Sequence, residues 1–333
     1  MGIQVTLKDV AEHVGVSYQT VWRVVHGKPG VRSETQQRVQ AAAEELGFRL
    51  NKVAGGLRTA RTSTIGLVVP DVSNAYTGKF VSGVESAARQ ADLCVLLANT
   101  GNDPVRERAA VAALMERRID GIIVHPAAGG DGRMLTEHLP RDLPVVSLNF
   151  SLDRAGSVAI SYRHTDTAVV ARFLAGRGIR RIGGISGSLR SPMFHGRYDG
   201  IRAEMSRLGL EIVDDWWRVT EETVDAARQA TVAILDRPSP PDAVFTAAYR
   251  LTEGALLGLK DLGMRPGRDI ELVGFDLSYA ALLDPPVPFV EQPAMATGYR
   301  AARTLMSMLA GEEVPRLQTV PLEFHDHTGT ARG

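Results

Sequence analysis

The run TLKDVAEHVGVSYQTVWRVV, residues 6–25, decides how the N-terminus folds. Thr6 followed by Asp9 three residues later has the form of a capping box with Asp in place of Glu, predicting a helix to Val14 that stops at Gly15. Ser17 is placed to cap a second helix through about Val25. Gly15-Val16 leaves only a tight turn between the two, the spacing of a helix-turn-helix. Residues 26–32, with Gly27, Pro29 and Gly30, read as a loop, and Ser33 with Gln36 caps a third helix ending at Gly47. Val10, Val14, Val21, Val24, Val39, Ala42 and Leu46 fall at helical spacing and predict the core of a small bundle.

In a helix-turn-helix the second helix enters the DNA major groove with its N-terminal residues foremost. Here Val21, Val24 and Val25 share one stripe, while Tyr18 with Trp22 and Gln19 with Arg23 are i, i+4 pairs on the other side. That outward face carries the two long donors that read base edges, Gln for adenine and Arg for guanine. Thr6, Ser17, Thr20, Ser33 and Thr35, near helix starts, are candidate phosphate contacts, which set register without reading sequence.

Charge patterning agrees with a polyanionic partner. The 333 residues carry no formal net charge, yet the first 61 carry nine basic groups against five acidic ones, leaving +4 there and −4 in the rest. The single Cys94, in the apolar run LCVLLAN, excludes a disulfide framework and is expected to be a small buried hydrophobe. No apolar stretch reaches the roughly 18 residues of a membrane span, and Lys8, Asp9 and Glu12 stand where a signal peptide would place its apolar core. A cytoplasmic protein with no membrane association is expected.

From Thr64 the pattern becomes short β-branched runs separated by helical stretches: residues 65–70, 93–99, 121–126, 144–149, 181–186, 242–247 and 270–276. Nearly continuous apolar strands alternating with helices argue for parallel sheets covered on both faces, and the length argues for two α/β lobes. Ligands of such sheets bind outside the carboxyl ends of the strands. Residues 51–63, NKVAGGLRTARTS, read as a linker.

The run from Thr6 to Phe48 resembles the DNA-binding module of the lactose-repressor family of bacterial transcription regulators. The similarity continues through PDVSNAY (70–76), RRIDGIIV (117–124), PDAVFTA (241–247) and ELVGFD (271–276). The resemblance implies a homodimer on a near-palindromic double-stranded operator, with Tyr18, Gln19 and Arg23 reading bases. Trp22 joins them on the groove-facing side, at a position that resembles a small Ser in the lactose repressor. It further implies a hinge helix in the linker, with Asn51 at its start and Leu57 as a minor-groove wedge. An exposed apolar wedge can unstack a base step, and so short a helix, weakened by Gly55 and Gly56, is expected to fold only with a partner chain on DNA.

The body resembles the periplasmic sugar-binding fold, with an effector in the cleft between lobes. The organisation expected is a helix-turn-helix domain over 1–50, a hinge over 51–63 and an effector-binding and dimerisation domain over 64–333. Within that domain, lobe one takes residues 64–161 and 290–320, and lobe two takes 162–289 and 321–333. Strand ends nominate Asp71, Asn74, Tyr76, Asn149, Arg197, Trp217, Asp276 and Gln292 as cleft residues. In the family, positions resembling Arg197 and Asp276 hold ligand hydroxyls, which implies a carbohydrate-like effector acting allosterically. Two family patterns are altered. The usual Asn-Pro-aromatic-aromatic reads Asn74, Ala75, Tyr76, Thr77, and the usual Asn-Asp reads Ala248-Tyr249, followed by Arg250, which adds Tyr249 to the candidates and implies a changed pocket.

An enzyme is the competing reading, alongside a ligand-binding protein whose helical N-terminus serves another role. GGISGS (183–188) satisfies neither G-x-G-x-x-G nor G-x-S-x-G and reads as a tight strand-to-helix turn. His325 and His327 flank Asp326, but H-x-H alone lacks further spaced ligands, and the remaining histidines read as satisfied surface groups. No catalytic residue, cofactor or metal is expected.

Overall fold

The computed structural model describes residues 5–48, 61–127 and 139–326, in two compact units divided between Thr62 and Ser63. Asn51, Leu57 and the expected hinge helix lie outside the described residues, as does His327.

Among the described residues the first unit holds three helices, α1 (Leu7–Val14), α2 (Tyr18–Val25) and α3 (Ser33–Glu45). The capping box forms as read: Asp9 N donates to Thr6 Oγ1 while Asp9 Oδ2 accepts from Thr6 N at 2.7 Å. Gly15 ends α1 with φ 72°, a left-handed conformation that favours glycine. Ser17 Oγ accepts from Thr20 N at 3.1 Å and starts α2. At α3 the expectation fails. Arg32 is the N-cap with no side-chain cap, and Gln36 instead donates from Nε2 to the Val31 carbonyl, because Ser33 is already inside the first turn. Val10, Ala11, Val14, Val21, Val24, Val39 and Ala42 are buried together, with Leu46 and Val25 packed at the edge. Arg38 Nη2 reaches the Val14 carbonyl at 2.9 Å and ties α3 to the end of α1.

Among the described residues the second unit contains two six-stranded sheets. The first sheet uses β1 (Thr64–Val69), β2 (Cys94–Asn99), β3 (Gly121–Val124), β4 (Val145–Leu148), β5 (Ser157–Tyr162) and β11 (Leu317–Val320). These run parallel in the order β11-β5-β4-β3-β1-β2. Alternation along β1 supplies both faces. Ile65 and Leu67 pack with Phe80 and Val84 of α4 (Ala75–Gln90), whereas Val68 packs with Val111 and Leu114 of α5 (Pro104–Glu116).

The second sheet comprises β6 (Ile182–Ser186), β7 (Trp217–Val219), β8 (Ala243–Thr246), β9 (Glu271–Phe275), β10 (Phe289–Glu291) and β12 (Glu323–His325). Its order is β12-β10-β9-β8-β6-β7, and only the β10–β12 pair is antiparallel. Its helices are α6 (Ala168–Gly176), α7 (Pro192–Arg207), α8 (Val224–Leu235) and α9 (Tyr249–Asp261). The chain passes between sheets after Tyr162, after Glu291 and after Val320; α10 (Ala294–Leu309), which follows the second crossing, packs on α4. Val290 and Glu291 therefore lie in the second sheet, two residues beyond the boundary expected at 290.

Cys94 corrects another expectation: it is exposed, not buried. It opens β2, an edge strand on which Leu97 is also exposed.

Candidate nucleic-acid interface and effector cleft

On α2 the two faces separate as the valine spacing requires. Val21 and Val24 are buried, while Ser17, Tyr18, Gln19 and Arg23 are exposed. A surface groove of about 500 Å³ is lined by Ser17, Gln19, Thr20, Arg23, Arg32 and Thr35 among others, bringing readers and phosphate candidates to one concavity. Thr6 is committed to its cap, donating from Oγ1 to Asp9 Oδ2 at 2.8 Å, and Ser33 is exposed at the start of α3. Trp22 does not stand out as a fourth exposed reader. It is half-buried, its ring stacked on His26 at 4.6 Å between centroids and 25° between planes.

In the body, the carboxyl ends of both sets of strands carry the polar residues. Arg197, on α7, is 2 % exposed. Its Nη1 donates to the Ala247 carbonyl just past β8 at 2.6 Å, and its guanidinium lies 3.8 Å from the Phe275 ring centroid. Nε and Nη2 are buried with no partner, an expensive arrangement unless something fills the site. Burial pulls this guanidinium down to about 10, against the opposing pull of Asp276 and Glu222.

Asp276 follows β9 with φ 51°, and its two carboxylate oxygens accept from Gln292 N at 2.8 Å and Gln292 Nε2 at 2.6 Å. Burial raises this carboxyl to about 6, with Arg197 and the Gln292 bonds working the other way. Asn149, after β4, also takes a left-handed φ of 55°, and its Oδ1 accepts from Tyr162 N at 3.2 Å. Such conformations in Asp and Asn at strand ends are the kind of local strain that clusters at binding sites.

The other candidates divide between cleft and scaffold. Asp71 Oδ2 accepts from Arg250 Nη2 of the opposite lobe at 2.9 Å, and Asp71 Oδ1 accepts from Ser73. Asn74 caps α4 by accepting from Tyr76 N at 2.9 Å. Tyr76 is buried with its hydroxyl 3.1 Å from that of Tyr162. Trp217 is no open stacking platform: it is buried edge-on to Tyr198 and its ring fills the space where Gly184 has no Cβ. Its indole Nε1 is nonetheless buried without a partner. The Tyr249 hydroxyl is committed to Glu253 Oε1 at 2.9 Å on the same helix.

Four residues were not nominated by the sequence. Ser186 Oγ at the end of β6, His125 Nδ1 after β3 and both ring nitrogens of His164 are further buried atoms without partners, and Glu222 acts electrostatically on Arg197 and Arg250. The expectation that such histidines are satisfied surface groups is wrong here. Desolvation holds His125 down to about 4, and desolvation with Arg197 nearby holds His164 down to about 3. The signal for His125 was its place directly after an apolar strand run. At the C-terminal ribbon, His325 Nε2 lies 2.8 Å from Glu291 Oε2, and Lys79 Nζ already provides a cation 2.8 Å from Glu291 Oε1. GGISGS is the end of β6 and a turn in which Gly187 packs on the Phe194 ring.

Residues 6–51 match the family model described as bacterial regulatory proteins, lacI family, and residues 171–325 match the periplasmic binding protein-like domain. A 321-residue match to catabolite control protein A of Priestia megaterium is 29% identical and covers 94% of this chain and 95% of that protein. Among solved structures, a Burkholderia thailandensis protein assigned as a ribose operon repressor is 38% identical with a TM-score of 0.73. That match covers 80% of this chain and all of the other. The lac repressor dimer bound to operator is 26% identical with a TM-score of 0.85, over 97% of this chain and 98% of that one.

A helix-turn-helix unit followed by a two-lobed ligand-binding body defines a DNA-binding transcription regulator with an effector domain. This chain belongs to the lacI family of bacterial regulatory proteins. Its relatives are transcription regulators, and among the described residues no helix is long and apolar enough to cross a membrane.

Proposed function

We propose that this protein is a cytoplasmic, nucleoid-associated, homodimeric repressor whose hold on a near-palindromic operator is set by a small carbohydrate-like effector in the interlobe cleft. The observation that carries the effector reading is Arg197, fully buried with two N–H-bearing nitrogens unpartnered beside a carboxylate, Asp276, held by Gln292. Donors from Arg197 and Trp217, an acceptor from Asp276 and the hydroxyl of Ser186 match a ligand of hydroxyl groups, each of which both gives and takes a hydrogen bond. Cleft acids (Asp276, Glu222, Asp71) outnumber cleft arginines (Arg197, Arg250), which favours a neutral ligand over an acidic one. The name of the Burkholderia relative, a ribose operon repressor, points to the same class.

At the operator, Tyr18, Gln19 and Arg23 read base edges, with Ser17, Thr20, Ser33 and Thr35 on phosphates and Leu57 and Asn51 serving the hinge. Dimerisation is supported by exposed Leu97 on the edge strand β2 and exposed Val105 on α5, apolar surface that a second copy would cover, and by the dimeric lac repressor relative. An effector matters only through unequal affinity for lobe arrangements that favour or disfavour operator binding. A thermal-unfolding screen over pentoses, hexoses and disaccharides tests the reading. One sugar class should stabilise the protein saturably, by about 2.7 kcal/mol at a hundredfold excess over Kd, and fail to do so in Arg197→Met. Stabilisation by a ligand without hydroxyl groups, with none by sugars, would overturn it.

A further inference from the structure

We propose that His26 is an additional operator contact and that Trp22 is the residue that positions it. The proposal rests on α2 being the groove-facing helix, as read above. Residues 22 and 26 are one helical turn apart, so both lie on the side of α2 opposite the buried Val21 and Val24, in line with Gln19 and Arg23. The two rings are stacked, and His26 Nδ1 lies 2.8 Å from the Trp22 carbonyl. A carbonyl only accepts, so Nδ1 carries the hydrogen and Nε2 is the ring nitrogen left for a partner. A phosphate oxygen also only accepts, so the operator contact uses the imidazolium form, in which Nε2 carries a hydrogen too and donates it.

His26 is also the C-cap residue of α2, its backbone N–H donating to the Trp22 carbonyl. Its ring is therefore held at two points, the Nδ1 bond and the indole face, on a backbone fixed by the cap. A contact residue held in one rotamer loses little entropy on binding. The N-terminal turn of a recognition helix points at base edges, and its C-terminal end rises towards the groove wall, so Tyr18 and Gln19 meet bases while His26 meets the sugar-phosphate backbone. A small residue at position 22, as in the lactose repressor, gives the next turn no ring to rest on. Trp22 replaces an intruding side chain with a folded-back platform, and the base readers beside it keep their reach.

The test is a double-mutant cycle on full-length protein, read by fluorescence anisotropy with an operator selected from a random duplex library by the wild type. Trp22→Ser and His26→Ala should each weaken operator binding about tenfold, and the double variant should lose no more than the worse single one. Trp22→Phe, which keeps a stacking ring, should stay within about twofold. Operator preference at each base should be unchanged in all of them, because a backbone contact carries no sequence, and the unfolding temperature should not track the affinity loss. Losses that multiply to about a hundredfold, wild-type binding by His26→Ala, or failure of Trp22→Phe to rescue would each overturn the proposal. Arg23→Ala is the control for the underlying reading: if it too binds like wild type, the groove-facing assignment of α2 fails, whereas if it alone loses affinity, only the Trp22–His26 unit does.

Discussion

Arg250 Nη2 in one lobe donates to Asp71 Oδ2 in the other at 2.9 Å, an ion pair that spans the mouth of the cleft. Both side chains are partly exposed, so the pair contributes little to global stability, about 0 to 1 kcal/mol. Its place on two lobes makes it a closure contact all the same. Arg250→Met should leave denaturant unfolding within about 1 kcal/mol of wild type while changing effector affinity and its salt dependence. A stability loss several times larger, with effector binding unchanged, would mark the pair as scaffold.

Arg197 and Asp276 should be coupled. Removing the cation in Arg197→Met strands a carboxylate that burial already disfavours and should cost about 3 kcal/mol. Adding Asp276→Asn removes that stranded charge, so the double variant should be more stable than the sum of the single losses allows. Additive losses in chemical denaturation would show the two groups to be independent.

The helix pair α4 and α10 depends on two glycines. A Cβ at Gly83 would fall inside the Met295 carbonyl, and one at Gly298 inside the Phe80 carbonyl, so backbone atoms of each helix occupy the space a side chain would need. Neither carbonyl can turn away without breaking a helix. Gly298→Ala should destabilise the body by about 2 to 3 kcal/mol, seen as a lower unfolding midpoint, and a neutral effect would mean the helices can separate at no cost.

Buried His125 predicts a pH signature. Its folded-state value is depressed to about 4, so the unfolded chain binds the extra proton, and stability is lost as pH falls from the unfolded value near 6.5 towards 4. His125→Asn removes that dependence while leaving the other groups in place. The stability advantage of wild type over the variant should shrink by about 1 kcal/mol per pH unit across that window. A constant difference would mean that water reaches the ring.

These sites show what the residues alone made legible. The capping box at Thr6 and the cap at Ser17 are local, needing only neighbours three residues away, and both appear as read. Ser33 failed because the helix start was set by where the loop delivers the chain, and Gln36 found the Val31 carbonyl instead. All seven apolar runs became strands, but β5, β7, β10, β11 and β12 escaped, being mixed in polarity or only three or four residues long in four of the five cases. Cys94 was misjudged because an apolar run does not say that its strand lies at a sheet edge. Within the cleft, Arg197 and Asp276 were visible through resemblance. The buried condition of His125 and His164, the packing of Trp217 against Tyr198 and Gly184, and the Arg250–Asp71 pair depend on groups distant in sequence.

The most direct measurement is operator selection from a random duplex library, followed by affinity measurements at fixed salt, for wild type and Arg23→Ala. Exposed Arg23 stands beside Gln19 on the face of α2 opposite its buried valines, and a bidentate contact to guanine is its natural use. The variant should lose about 1 to 3 kcal/mol on the wild-type operator and accept other bases at a single pair in each half-site. Unchanged affinity and unchanged preference at every position would contradict the account.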